Sequence, residues 1–288
     1  MRWHEDLQEE VWVLGDEPLI GAATNAMAWW DQYPPDCPKR LADVDPATWE
    51  IKARLALMDE YGIKTQILYP NVGFFAARLL KAADRELQLD IVKAYNDWQT
   101  DWSSEAPDRL IPITSLPFWD INATLIEIQR CAAMGHKGVN LTQDPAHYGQ
   151  LDDRHWDPLW AACQEAGLPV NFHIATGDIS PFLRSADPDN GKHANYASVG
   201  VSFFLENART ISQLICGGVC HRFPSLNFVS VESGVGWIPF ALAALDWQWL
   251  NAGAHKEHPD YELLPSEFFK RQIYGCFWFE DATAKFAL

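Results

Sequence analysis

The stretch Gly167-Leu-Pro-Val-Asn-Phe-His173-Ile-Ala-Thr-Gly-Asp178 decides the fold, because it delivers a histidine just as an apolar strand runs into a loop. Ahead of it, Asp153 to Ala166 places Trp156, Leu159, Trp160 and Cys163 at helical spacing, and Gly167-Leu-Pro169 stops that helix and starts the strand. The unit is helix, tight turn, strand, then a polar residue at the strand's carboxyl end. Related phrases recur at 61–70, 109–117, 134–142, 223–232 and 272–280, which makes about six strands with helices between them. The intervening helices are read at 45–61, 85–104, 121–134, 153–166, 202–214 and 234–250.

Strands that alternate with crossover helices imply a parallel sheet. No Gly-x-Gly-x-x-Gly follows the first strand, so an α/β fold of the (β/α)8 TIM-barrel kind is expected rather than a doubly wound sheet. In a barrel the carboxyl ends of the strands carry the chemistry. Three of the predicted strands end on groups able to bind a metal or move a proton: His173, Glu232 and Glu280. A polar strand end is also what any buried strand shows on meeting water; three such ends on consecutive strands favour a site.

The rest of the chain narrows the partners. Its 288 residues, 48% hydrophobic, suit one barrel domain over 1–288. A formal net charge of -17, with 22 scattered Lys and Arg, excludes the basic face that nucleic acid or an anionic membrane would need. There is no long apolar run and no signal-peptide pattern, so the expected compartment is the cytoplasm and the partner a small molecule. The cysteines at 37, 131, 163, 216, 220 and 276 form no Cys-x-x-Cys pair and read as reduced core residues. Trp98 and Trp102 read as packing on one helix face, whereas Trp237 and Trp278 stand beside strand ends and could wall a pocket for a planar ligand.

Residues 1–45 do not repeat the strand and helix phrase; 10–21 reads as a hairpin turning at Gly15-Asp16. The segment 178–197 reads as a loop, a lid or a surface insertion. Of the nine histidines, His136, His147, His155, His255 and His258 are read as solvated.

Leu168-Pro-Val-Asn-Phe-His173, the Gly217-Gly-Val…Arg222-Phe-Pro224 phrase, Val231-Glu-Ser-Gly-Val-Gly-Trp237 and Cys276-Phe-Trp-Phe-Glu-Asp281 together resemble the amidohydrolase-related family. This branch of the amidohydrolase superfamily includes aminocarboxymuconate semialdehyde decarboxylase and resorcylate decarboxylase. The resemblance spans about residues 45–288. It implies a distorted barrel with one divalent metal, usually zinc with manganese as the other candidate, held by a His-x-His pair on strand one, a His on strand five and an Asp on strand eight. His173 matches the strand-five ligand. Where many members carry a His-x-Gly-Gly phrase on strand six, this chain has Glu232, which leaves proton transfer open to a carboxylate.

No His-x-His occurs here, and the chain stops before a strand-eight Asp would arrive. The expectation is a barrel that lacks strands one and eight, with residues 1–45 as an insertion after strand one and barrel units over 46–288. The function implied is a metal-dependent hydrolase or decarboxylase acting on a small carboxylated or cyclic metabolite. His173 is its metal ligand, Glu232 and Asp178 its catalytic candidates, and Trp237 and Glu280 its substrate-binding candidates; a homodimer is implied only by analogy. The alternatives are an inactive binding or assembly barrel and, more remotely, a nicotinamide-dependent reductase.

Overall fold

A computed structural model of the chain describes all residues except Asn25, Ala28, 71–83, 146–147, 177–187 and 282–288. Two compact units emerge, one formed by Met1–Ser115 with Ser180–Val199 and the other by Leu116–Ile179 with Gly200–Leu288.

In the first unit, β1 (Arg2–His4), β2 (Glu9–Leu14) and β3 (Glu17–Gly21) form an antiparallel sheet in that order, with the hairpin where the sequence places it and β1 as an addition. A 3-10 turn at Pro46–Thr48, capped by the Asp45 side chain on the Ala47 N–H at 2.8 Å, leads into α1 (Ile51–Glu60). Strand β4 (Gln66–Leu68) pairs in parallel with β5 (Leu110–Pro112), and α2 (Arg85–Ser103) lies between them in sequence, followed by the short β6 (Thr114–Ser115). Asp84 caps α2 at the Leu87 N–H. Buried amides on α2 then satisfy strand ends: Asn96 exchanges two hydrogen bonds with the Ser115 backbone, and Gln99 donates to the Leu68 carbonyl at 2.9 Å while accepting from the Ile113 N–H at 3.1 Å. Trp98 and Trp102 stack with centroids 6.0 Å apart, the packing read from their spacing.

The second unit carries the parallel sheet: β7 (Val139–Asn140), β8 (Val170–His173), β9 (Phe228–Val231) and β10 (Ile273–Gly275) pair in sequence order. Their connections are helical. Helix α3 (Ile121–Met134) precedes β7, capped by Asp120 and ended by Gly135 at φ 99°. Helix α4 (Asp157–Ala166) precedes β8 and ends at Gly167, φ 67°, a left-handed turn that glycine adopts without strain. Helix α5 (Lys192–Cys216) and the short α6 (Val219–Arg222) separate β8 from β9; α7 (Ile238–Asn251), α8 (Ala254–Glu257) and α9 (Pro265–Gln272) separate β9 from β10.

Side chains alternate across a strand, and the core shows which face is which. Val139, Val170, Phe172 and Phe228 are fully buried; Trp160 of α4 meets Phe228 edge-on at 5.8 Å, so this face packs against helix. Behind it Arg222 clamps the Asp157 carboxylate with Nε and Nη2, at 3.2 and 2.9 Å, and gives Nη1 to the Gly217 carbonyl.

Four expectations are corrected. The strand predicted to end on Glu280 stops at Gly275, because the residues beyond it turn away and leave Phe277, Trp278 and Phe279 exposed. The segment read as loop to Ala197 is helical from Lys192, because Gly191 ends the loop and nothing after it breaks a helix. His136 is buried, where the sequence reading placed it in solvent. Among the cysteines, Cys276 is exposed and Cys216 half-buried, while the other four are buried; all six are free thiols. Among the described residues no helix is long and apolar enough to cross a membrane.

Candidate functional site

Strands β8 and β9 are neighbours in register, His173 opposite Val231, so the carboxyl end of one brings His173 beside the residue that follows the other, Glu232. The His173 Nε2 lies 3.0 Å from Glu232 Oε2, and its Nδ1 lies 2.9 Å from the Ile174 carbonyl oxygen. A proton on Nδ1 satisfies that carbonyl, and a proton on Nε2 is what donates to the carboxylate; without the second, Nε2 offers its lone pair on the same side, as a ligand or proton acceptor would. The His173 side chain is 15% exposed and that of Glu232 47%, so the pair is reachable from solvent. The hydrogen bond from His173 holds the Glu232 carboxyl below its usual range, against the opposing effect of burial.

Glu232 is held in an unusual backbone conformation, φ 58°, which an L-residue with a side chain adopts at a cost. The turn after it is pinned on several sides. Ser230 and Ser233 hydroxyls share a 2.5 Å hydrogen bond, and Trp237 Nε1 donates to the Gly234 carbonyl at 3.1 Å. Glu280 Oε1 accepts from the Val235 and Gly236 N–H groups at 2.5 and 2.7 Å, and Oε2 accepts from the Trp278 N–H at 3.0 Å. Burial works to raise the Glu280 pKa, but these N–H donors outweigh it and hold the carboxyl below its usual range. Gly234 is required here: at φ 69° it is left-handed, and a Cβ would collide with the Glu280 carboxylate.

Of the sequence candidates, His173 and Glu232 are therefore brought together. Glu280 sits against the turn that carries Glu232. Trp237 begins α7, half-buried, its ring edge-on to Phe269 at 6.5 Å. Asp178 lies outside the described residues.

A polar layer that the sequence reading did not single out backs this pair. Asn207 of α5 donates from Nδ2 to the Phe172 carbonyl at 3.0 Å and lies 3.4 Å from that of Val231, joining the ends of β8 and β9. Gln143 contacts Asn207, and with its amide nitrogen turned toward acceptors it donates to Glu206 Oε2 at 2.9 Å and to the His173 carbonyl at 3.3 Å. Burial pushes the Glu206 carboxyl up. Thr142 donates to the Thr176 carbonyl at 2.7 Å, and Thr176 Oγ1 accepts from the Gln143 N–H at 3.0 Å. The available signal was polar residues on an apolar strand and helix, at 140, 142, 143 and 207.

Parallel strands joined by helices, with ionisable groups gathered at the strands' carboxyl ends, are the α/β arrangement of TIM-barrel folds. The amidohydrolase family model matches residues 11–266, and the chain belongs to that family. It is 26% identical over 202 residues to gamma-resorcylate decarboxylase of Rhizobium sp. (strain MTP-10005), covering 67% of this chain and spanning 58% of that relative's length. A crystal structure of an amidohydrolase from Mycobacterium avium subsp. paratuberculosis K-10 superposes with a TM-score of 0.63 at 26% identity, covering 88% of this chain and 64% of the other. The fold is shared too with 5-carboxyvanillate decarboxylase from Novosphingobium aromaticivorans, complexed with manganese and 4-hydroxy-3-methoxy-5-nitrobenzoic acid: TM-score 0.60, 24% identity, 77% of this chain and 61% of that one.

Proposed function

We propose that this chain carries the strand-end acid–base pair of a metal-dependent decarboxylase acting on a small carboxylated ring. The single observation that supports this most is the 3.0 Å contact between His173 Nε2 and Glu232 Oε2 at the ends of adjacent strands, taken with relatives that are decarboxylases of aromatic acids.

Donor chemistry sets what a metal would find. A nitrogen and an oxygen about 3 Å apart can share one divalent ion, since bonds of about 2.0–2.2 Å from each meet at an ordinary coordination angle. Among the described residues no group of three or more His, Cys, Asp and Glu side chains is arranged to hold a metal, so His173 and Glu232 would supply only part of an ion's coordination. A divalent ion held there, zinc or manganese, would polarise a substrate oxygen as a Lewis acid.

The residues have their own work in the reaction. Loss of carbon dioxide breaks a carbon–carbon bond and leaves its electron pair on the ring carbon, which must take up a proton. With an ion on His173 Nε2 that nitrogen would carry no proton, so delivery would fall to the Glu232 carboxyl, which takes a proton from solvent and returns to carboxylate as the ring carbon is protonated. Trp237 lines the approach, and Asp178 is a second proton-handling candidate. The same pair could activate water, so hydrolysis is the neighbouring chemistry on this barrel. The molecule is expected to work in the cytoplasm and to pair as a homodimer.

Elemental analysis of the purified protein, beside His173→Ala and Glu232→Gln, tests the metal; carbon dioxide release from 2,6-dihydroxybenzoate tests the chemistry. Metal that binds to the wild type and is lost with His173→Ala supports the reading. Metal content unaffected by either substitution, with no carbon dioxide released, overturns it in favour of a non-catalytic barrel.

A further inference from the structure

Below the His173–Glu232 pair the same face of the sheet continues. Asn171 precedes His173 by two residues and so shares its face, and the register places Asn140 of β7 directly opposite Asn171, then Val229 of β9 and Tyr274 of β10 in the same row. Two-residue spacing along a strand puts this row about 6.6 Å beneath His173, the scale of one six-membered ring with its substituents.

The two amides of the row differ. Asn171 has spent its nitrogen on the sheet itself, donating to the carbonyls of Val139 at 3.0 Å and Pro169 at 3.1 Å. Asn140, only 4% exposed, has an Oδ1 that is buried and without any hydrogen-bond partner. Leaving such an acceptor unpaired is costly, and native structures do so where a ligand or a bound water completes the pairing. Other orphaned polar atoms of this unit, the Nε1 groups of Trp156 and Trp160, sit in and beside α4 among the apolar core of the opposite face. Asn140 alone of these lies on the face that carries His173.

We infer that Asn140 Oδ1 is a specificity-determining acceptor, and that the ligand of this site is a ring carrying a hydrogen-bond donor, a hydroxyl or an amine, on the side away from the group held by His173 and Glu232. This rests on the decarboxylase reading for the position of the carboxylate, but the acceptor stands on its own geometry. Tyr274, exposed at the far end of the row, offers a ring face beside which a planar ligand can lie.

The test is a matched pair of probes that differ only in the donor: 4-hydroxybenzoate against 4-methoxybenzoate, and phenol against anisole, titrated into the protein while the Asn140 side-chain amide is followed by nuclear magnetic resonance. The wild type is expected to prefer each hydroxyl probe by about tenfold, with the Asn140 amide signal moving. Asn140→Leu should abolish the preference, while Asn140→Asp, which keeps an acceptor of the same shape, retains it. Without probe, Asn140→Leu should melt no lower than the wild type, because no existing hydrogen bond is lost. Equal affinity for donor and non-donor probes, no binding of either pair, or a lowered melting temperature for Asn140→Leu with Asn140→Asp also indifferent overturns the inference. Preference for phenol over anisole with no binding of either benzoate upholds the acceptor and overturns the carboxylate reading.

Discussion

On the helix-facing side of β7, β8 and β9 stand Val139, Val170, Phe172 and Phe228, all without exposed surface, whereas the opposite side of the same strands carries Asn140, Asn171 and His173. One face is filled with apolar volume and ring contacts, Phe172 stacked on Phe228 at 6.3 Å and Trp160 edge-on to it. The other keeps amides and an imidazole where burial gives them no advantage. The contrast separates the face that carries the stability of this unit from the face on which the proposed chemistry would occur, within the thickness of one strand.

The sharpest way to break the contrast is at Phe228. Truncation to Ala removes a fully buried ring and leaves a cavity, at an expected cost of about 3–5 kcal/mol, read as a shift in the urea midpoint. A comparable loss from His173→Ala would erase the distinction between the faces. Next in size is Glu280→Ala, which leaves the N–H groups of Val235, Gly236 and Trp278 without their acceptor; about 1–2 kcal/mol of stability should go, and Glu280→Gln, which keeps one acceptor oxygen, should restore part of it. Should Glu280→Ala unfold no earlier than wild type, the turn beneath Glu232 is held by its serines and Trp237 instead.

The smallest effect is on acid stability. Glu232 and Glu280 both have folded pKa values below their usual ones. Their contribution is therefore present above the ordinary carboxylate range and lost as pH falls through the lowered folded values. Melting temperature followed downward from neutral pH should decline more steeply in the wild type than in a Glu232→Gln, Glu280→Gln double variant. Parallel curves would show that other carboxylates carry the acid transition.

Metal affinity separates the faces in another way. On the proposed reading an ion takes the Nε2 lone pair of His173, so binding of manganese or zinc followed by isothermal titration should be lost in His173→Ala and kept in Phe228→Leu.

How much of this was legible in the sequence depends on whether backbone pattern or side-chain reach decided the matter. Helix α3 lies where its spacing put it, because Asp120 and Gly135 announce both ends, and β8 follows from Gly167-Leu-Pro169. His173 and Glu232 were legible as strand ends, although their mutual distance was not, since that depends on register. Glu280 was read as a strand end because an apolar run precedes it; the run instead leaves the sheet at Gly275, and the carboxylate folds back onto N–H groups some 45 residues earlier. Asn140 went unread because an asparagine within a short apolar phrase looks unremarkable until its neighbour's register shows which way it points. Helix α5 began earlier than expected because a Pro, Asn and Gly cluster marks the loop but not the residue at which it ends.

Among the described residues, Gln8, Trp29, Ala175 and Glu232 are the non-glycines with positive φ, and the last of them is one of the paired site candidates. At a φ of 58° the chain would be more comfortable with glycine or asparagine than with the glutamate it carries. A library randomised there and sorted for heat resistance alone should drift toward glycine, while one sorted for turnover should return the acid. With the proposed role for Glu232, position 232 is where folding and chemistry would vote differently, and a stabilised version of this protein would leave that residue out of the optimisation.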